Sequence, residues 1–150
     1  MREKINAALK EAVKARDTRR MSTLRLINAA IKDRDIAARS EGREAIGEAE
    51  VMALLLKMVK QREESIALYD KGGRTDLADQ ERGEIEVIED FLPKPLSEEE
   101  IAHAVSDAIA ETEAAGLRDM GKVIDILKER HPGRIDFSKA SRIVKQKLGA

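Results

Sequence analysis

The chain has 150 residues, no cysteine, a formal net charge of −1 and only 2% aromatic residues. The absence of cysteine excludes disulfides, thiolate nucleophiles and thiolate metal ligands, and it is compatible with a reducing cytoplasm. Helix-forming residues dominate and no run alternates cleanly between polar and apolar side chains, so we predict an all-α protein. No apolar run is long enough to cross a membrane and no secretory signal is visible, so we expect a cytoplasmic location.

The charges are distributed in blocks along the chain. Residues 2–39 carry 11 basic and 5 acidic side chains, a net of +6, whereas residues 76–119 carry 3 basic and 14 acidic, a net of −11. Residues 120–150 carry 8 basic and 3 acidic, a net of +5. These blocks either neutralise one another across folded faces or steer a polyanion towards the protein. Charge alone favours the first interpretation, because solvated charged faces are common on helical proteins.

Four helices are predicted in the first part of the chain, because apolar residues recur there at intervals of three and four. Asp17 is the expected cap of the second helix, and a polar stretch at 40–47 separates it from the third. Gly72-Gly73 should end the third helix, since glycine accepts the left-handed conformation that follows a helix, and Thr75 should cap the fourth.

A domain boundary is predicted where the sequence reads LPKPLSEEE. Pro93 and Pro95 lack an N–H and disfavour helix in the residue before them. Ser97 and Glu100 have the spacing of a capping box that opens a new helix. We therefore expect a four-helix N-terminal domain at 1–92, a linker at 93–96 and a smaller C-terminal domain at 97–150.

Three shorter helices are predicted in the C-terminal domain. Gly116 should break the fifth helix, and Asp119 should cap the sixth. Pro132-Gly133 should end the sixth helix, and Asp136 should cap the seventh. A domain of this size is near the lower limit for an independent core, so we expect it to be weakly stable alone.

Few residues suggest catalytic or metal chemistry. Glu100 and His103 match half of the carboxylate–histidine pattern of di-iron helical bundles, which needs a second copy and two further glutamates. The Gly72-Gly73-Arg74 stretch lacks the spacing of a phosphate-binding loop and its preceding strand. We expect no catalytic residue, no metal site and no cofactor, and a chain that is not an enzyme by itself.

Two polar positions interrupt the apolar stripes of the third and fourth helices. Arg62 falls between apolar residues of the third helix, and Glu81 falls likewise in the fourth. If the two helices form a hairpin about the glycines, these positions lie at similar heights. We predict that Arg62 pairs with Glu81 or Glu84 within the helix packing, as a device for register more than a large stabiliser.

The polar motifs, in their order along the chain, resemble the stand-alone YqeY proteins. The first half of the resemblance rests on Arg20-Met-Ser-Thr-Leu-Arg25, Lys60-Gln-Arg62-Glu-Glu-Ser65-Ile66, Lys71-Gly72-Gly73-Arg74-x-x-Leu77-Ala78, Glu81-x-x-Glu84-Ile85 and Leu92-Pro93. The second half rests on Asp119-Met-Gly121-Lys-Val123 and on Gly133-Arg134-x-Asp136. Two positions depart from the family pattern: Ile135 stands where alanine is frequent, and Gly47 where a Ser or Thr cap is common.

The resemblance implies a helical N-terminal domain, a three-helix C-terminal domain, and structural roles for the motif residues. It also implies kinship with the tail of the B subunit of the glutamine-dependent tRNA amidotransferase, a carbon–nitrogen ligase. In that enzyme the tail holds tRNA, while the chemistry occurs on other domains and subunits. The implied partners are tRNA or another structured RNA, and amidotransferase subunits.

The basic end of the chain is the candidate RNA-binding surface. Helical projection of residues 137–148 separates an apolar side from a side that bears Arg142 and Lys145. The candidate RNA-binding residues are Lys122, Arg134, Lys139, Arg142 and Lys145. An exposed helix that is basic only for solubility and dipole complementarity is the competing interpretation. A protein-interaction adaptor and a component of an amidotransferase system are the alternative functions.

Overall fold

The structure is a computed structural model that describes residues 1–149. Within this range it contains seven α-helices, one short 3₁₀ helix and no strand, which confirms the prediction of an all-helical protein. The helices are α1 (Arg2–Ala15), α2 (Thr18–Arg39), α3 (Glu48–Lys71), α4 (Thr75–Glu89), α5 (Glu98–Thr112), α6 (Met120–Arg130) and α7 (Phe137–Gly149), and the 3₁₀ helix is Leu117–Asp119. The chain groups into two compact units, one of residues 1–92 and one that begins at Pro93.

The first unit contains α1 to α4 around one apolar core. Each helix contributes residues at intervals close to whole helical turns, so that one stripe of each helix is buried. The largest fully buried side chains are Ile5, Leu24, Ile27, Val51, Leu55 and Ile88. The long helices α3 and α4 pack side by side, and α2 packs against α1, α3 and α4.

Several predicted helix ends are confirmed. The Asp17 carboxylate accepts the N–H of Arg20 at 3.2 Å and caps α2. Gly73 has a φ of +75° directly after α3, a conformation that costs a residue with a Cβ, so the two glycines do end that helix. Ser97 and Glu100 form the predicted capping box at the start of α5.

Three predicted helix ends were wrong in detail. Arg74, not Thr75, is the cap position of α4, and no side chain caps that helix. The fifth helix ends four residues before Gly116, because Glu113 takes the left-handed conformation with φ +55°. Asp119 is the cap position of α6, but its carboxylate accepts the N–H of Ala115 at 3.0 Å and so fastens the preceding turn.

The predicted ion pair between α3 and α4 is present. Nε of Arg62 lies 2.8 Å from Oε2 of Glu84 and 3.8 Å from Oε2 of Glu81, and Nη1 donates to the Met58 carbonyl at 3.1 Å. The side chain of Arg62 is 14% exposed, and those of the two glutamates are 22% and 19% exposed. The guanidinium of Arg62 on α3 therefore forms ion pairs with two partly desolvated carboxylates on α4.

An unpredicted polar contact joins the start of α1, the middle of α2 and the loop before α3. The Asp35 carboxylate accepts hydrogen bonds from Nη1 and Nη2 of Arg2, at 2.9 and 2.6 Å. It also accepts one from the backbone N–H of Ile46, at 2.9 Å. Arg2 also donates to the Ile46 carbonyl at 3.0 Å. The contact fixes a loop that the sequence presents only as a polar spacer.

This contact predicts an acid-sensitive part of the stability. The Arg2 guanidinium, followed by the Ile46 N–H, lowers the pKa of Asp35 from 3.8 to about 2. Because the folded state lowers this pKa, the contribution is present above pH 3.8 and is lost as the pH falls towards 2. Asp35→Asn should lower the urea midpoint at pH 7, and its difference from the wild type should shrink between pH 4 and pH 2. A difference that stays constant over this range would contradict the assignment.

The second unit contains α5, α6 and α7 packed against one another around its own apolar core. Its buried residues include Ile101, Val105, Val123, Leu127, Ala140 and Val144. Ile135, where the family often has alanine, is 7% exposed and extends this core. Helix α6 ends before the turn in which Gly133 has a φ of +73°, and the Asp136 carboxylate accepts the N–H of Ser138 at the start of α7.

The segment predicted as a linker is partly attached to the second unit. The N–H of Leu96 donates to the Arg134 carbonyl at 2.8 Å, and Nε of Arg134 donates to the Lys94 carbonyl at 2.9 Å. Leu96 also packs against the core of this unit. On the other side of Pro93, Leu92 packs against the core of the first unit.

The proposal that the two units are separate domains predicts a specific proteolytic fragment. Short proline-containing connections with few crossing contacts are favoured sites of nicking. A protease of broad specificity should first cut at 93–97 and release an N-terminal fragment of about ninety residues. Mass spectrometry of the earliest fragments identifies the cut. First cleavage within 40–47 would contradict the boundary, and the contacts of Asp35 with that loop make this outcome unfavourable.

Candidate nucleic-acid interface

Helix α7 has one buried side and one exposed basic side. Ala140 and Val144, four residues apart, are fully buried. Arg142 and Lys145 are exposed and lie on the opposite side. Within residues 1–149 neither has an ion-pair partner. The predicted division of this helix into an apolar side and a basic side is therefore present.

Arg134 and Lys139 lie in a more acidic environment. The first turn of α5 carries three glutamates, and Nζ of Lys139 lies 3.9 Å from Oε1 of Glu98. The pKa of Glu100 is below its usual value because the backbone N–H and hydroxyl of Ser97 bond to it, and the charge of Arg134 adds to the shift. The two candidate cations at the start of α7 are thus partly neutralised within their own unit.

Lys122 lies near the other end of α7. Nζ of Lys128, late in α6, is 5.4 Å from the centre of the Phe137 ring at the start of α7. A Cβ built on Gly149 would lie 3.9 Å from Cδ2 of Leu117, just before α6. The two helices therefore run antiparallel. Lys122 also faces an acid, because its charge contributes to the lowered pKa of Asp119, which is caused chiefly by the Ala115 N–H.

The five candidate cations do not form one cluster. They extend along α7, whose 13 residues span about 20 Å. Lys139 has an ion-pair partner, and Arg134 and Lys122 each lower the pKa of a nearby carboxyl, whereas Arg142 and Lys145 have no ion-pair partner among the described residues. Sequence reasoning missed this difference, although the three consecutive glutamates at 98–100 were visible. Lys147, near the end of α7, donates to the Ser106 hydroxyl at 2.8 Å.

The remaining motif residues occupy turns and helix ends. Gly72 and Gly73 form the turn between α3 and α4, and Arg74 pairs with Asp76 on the surface at 3.2 Å. Gly133 and Asp136 form the turn before α7, as described above. Gly121 is different, because a Cβ at this position in the first turn of α6 would meet nothing within 4 Å. The fold of the second unit does not explain why this position is glycine.

The residues that suggested metal chemistry lie in ordinary helical surroundings. Glu100 accepts the N–H of Ser97 in the capping box. His103 is largely exposed, with Nδ1 at 3.9 Å from Oδ1 of Asp107. In the part of the chain that the structure describes, no three histidine or carboxylate side chains are grouped to hold a metal ion. The expected absence of a metal site stays a prediction.

No helix in the described part of the chain is both long enough and apolar enough to cross a membrane. This agrees with the short apolar runs of the sequence.

Comparison with known proteins places these observations in a family. Proteins named altered inheritance of mitochondria protein 41, mitochondrial, are similar to this chain. The protein of Lachancea thermotolerans is 34% identical over 123 residues, which cover 78% of this chain and 64% of the relative. The protein of Kluyveromyces lactis is 33% identical over 100 residues, which cover 65% of this chain and 52% of the relative. The matches thus span about half to two thirds of these relatives' length. The model of the Yqey-like protein family matches residues 2–148, and the chain belongs to this family.

Proposed function

We propose that this chain is a non-catalytic RNA-binding module and that its ligand is tRNA. The observation that carries the proposal is the exposed side of α7, where Arg142 and Lys145 have no ion-pair partner among residues 1–149. Kinship with the tRNA-holding tail of the amidotransferase B subunit, implied by the motifs, supplies the choice of tRNA. Amidotransferase subunits are the corresponding candidate protein partners.

The chemistry of the surface favours contact with the sugar–phosphate backbone. Arg142 and Lys145 are three residues apart and so neighbour each other on the helix. Lysine and arginine neutralise phosphates and release counterions, which gives affinity without base recognition. The only aromatic residue of α7, Phe137, is partly buried in the core and so is not presented for base stacking. Shape and backbone recognition, as with double-stranded regions of RNA, fits these features.

Lys122, Arg134 and Lys139 stay in the proposal as flanking contacts. Their acidic neighbours reduce the field that each presents to a polyanion. A phosphate that binds at Lys139 must compete with Glu98, which is 3.9 Å away. We therefore expect single substitutions at these three positions to have smaller effects than substitutions at Arg142 or Lys145.

Direct binding by the purified chain tests the proposal. Labelled tRNA should be retained saturably at low salt, and binding should weaken steadily as salt is raised. In parallel, the same protein should release no ammonia from glutamine. Absence of retention at about 50 mM salt would contradict RNA binding. Glutamine turnover by the pure chain would contradict a non-catalytic role and favour the amidotransferase alternative.

The place of action remains a separate expectation. The sequence predicts a cytoplasmic location, whereas the curated relatives are named as mitochondrial proteins. Both compartments contain tRNA, so the proposed activity is compatible with either location.

A further inference from the structure

A second basic surface lies on the first unit, along the seam between α1 and α2. The pairs Arg2–Asp35 and Asn6–Asn28 show that these helices run antiparallel, and Nδ2 of Asn28 donates to Oδ1 of Asn6 at 3.3 Å. This hydrogen bond is exposed and so lies on the solvent-facing side of the contact between α1 and α2.

Cations and apolar side chains follow this edge on both helices. On α1, Lys10 and Val13 come four and seven residues after Asn6 and share its side of the helix. On α2, Arg25 and Lys32 come three residues before and four residues after Asn28, and Ile36 comes one turn later. We call this set (Lys10, Val13, Arg25, Lys32 and Ile36) the α1–α2 surface.

The side chains of the α1–α2 surface are turned away from the core of the first unit. Lys10, Arg25 and Lys32 are exposed, and Val13 and Ile36 are 48% and 51% exposed. Within residues 1–149 none of the three cations has an ion-pair partner, whereas Arg2 and Arg20 of the same unit each have one. The charge of this surface is therefore available to a partner.

We infer that the α1–α2 surface binds an acidic amphipathic helix of a partner protein. The inference is independent of the proposed RNA binding at α7. Charge complementarity identifies the occupant as an anion, because three unpaired cations line the surface against one exposed acid, Glu3, three residues before Asn6 on α1. Two half-exposed aliphatic side chains add apolar area, whose burial stabilises by about 25 cal/mol per Å². A phosphate backbone would not bury the apolar surface of Val13 and Ile36. An apolar partner would remove the three cations from water without giving them counter-charges.

The spacing of the surface fits a helix better than another anionic partner. Arg25 and Lys32 are seven residues apart, and so are Ala29 and Ile36, which is the repeat of a packed helix pair. Ala29 is exposed between the two cations and lets a partner backbone approach closely. Helices α1 and α2 contain no aromatic residue that could stack on a base. A second copy presenting the same surface is disfavoured, because its cations would oppose these.

A designed peptide tests the inference on the full chain. The probe is a labelled synthetic helix of about 20 residues with leucine on one stripe and glutamate beside it, long enough to form a helix. Its control has the same composition with the leucines spread around the helix. The patterned peptide should bind saturably, and the control should bind at least about tenfold more weakly. Equal binding of the two peptides, or no saturable binding up to about 1 mM, would overturn the inference.

Matched variants locate the binding on the molecule. Arg25→Glu with Lys32→Glu should weaken the patterned peptide about tenfold or more, and Ile36→Ser should weaken it without a change of charge. Lys57→Glu with Lys60→Glu changes the charge equally on the exposed side of α3 and should have little effect. An equal loss in the α3 variant would overturn the inference. The inference would also be overturned if the Arg25→Glu, Lys32→Glu variant lost tRNA binding while its peptide binding stayed unchanged.

Discussion

Replacement of Arg62 by methionine should lower the free energy of unfolding by about 3 kcal/mol at pH 7, a large part of the stability of a small helical unit. Methionine keeps the length of the side chain but removes the charge. Glu81 and Glu84 would then face each other without a cation, and both are about one-fifth exposed. Leaving a desolvated charge unpaired is what makes removal of one partner costly.

The pH dependence of this loss identifies its cause. Desolvation, and then the hydrogen bond and charge of Glu84, raise the pKa of Glu81 above its usual value of 4.5. A carboxyl whose folded pKa is raised favours the folded state below pH 4.5 and loses that contribution as the pH rises through the folded pKa. Without Arg62 this pKa should rise further. The difference between Arg62→Met and the wild type should therefore be smaller at pH 5 than at pH 8.

Urea unfolding followed by circular dichroism measures both effects. Arg82→Met is the matched control, because Arg82 pairs with Asp70 and Asp79 on the surface at 45% exposure, and it should cost at most about 1 kcal/mol. A triple variant with leucine at positions 62, 81 and 84 should recover most of the loss, since apolar side chains can replace a partly buried ion cluster. Equal losses of unfolding free energy in Arg62→Met and Arg82→Met would contradict a special contribution of the Arg62–Glu81–Glu84 ion pairs to stability.

Reversal of the two unpaired cations of α7 should cause the largest functional effect. Arg142→Glu with Lys145→Glu replaces two attractive charges by two repulsive ones, and we expect tRNA affinity to fall by at least about a hundredfold at low salt. Folding should be intact, because neither side chain contributes to the core around Ala140 and Val144. Arg134→Gln or Lys139→Gln should have smaller effects because of the neighbouring glutamates.

Local signals predicted the helices and much of the core well. The seven apolar stripes, the cap at Asp17, the capping box at Ser97 and the glycine turn after α3 depend on residues a few positions apart, and the structure has all of them. The pairing of Arg62 with Glu84 spans 22 residues, but it was predictable because a short glycine turn fixes how two adjacent helices align.

Features that depend on distant residues were not predictable in the same way. The contact of Arg2 with Asp35 spans 33 residues, and nothing in either local sequence indicates it. Asp119 looked like a helix cap, yet its carboxylate turns back to Ala115, because a 3₁₀ turn precedes α6. At the candidate interface, the helical periodicity of residues 137–148 predicted the basic side of α7. It did not show that the first turn of α5 lies beside Lys139, since that depends on packing of the two helices.

The salt dependence of tRNA affinity, compared between the wild type and the Arg142→Glu, Lys145→Glu variant, tests the proposed function most directly. A logarithmic plot of affinity against salt should have a slope of roughly −2 to −3 for the wild type, and the slope should become shallower by about 1.5 when two phosphate contacts are lost. The Lys57→Glu, Lys60→Glu variant, with the same change of net charge, should keep the wild-type slope. A folded α7 variant with unchanged affinity and slope would contradict RNA binding through this helix.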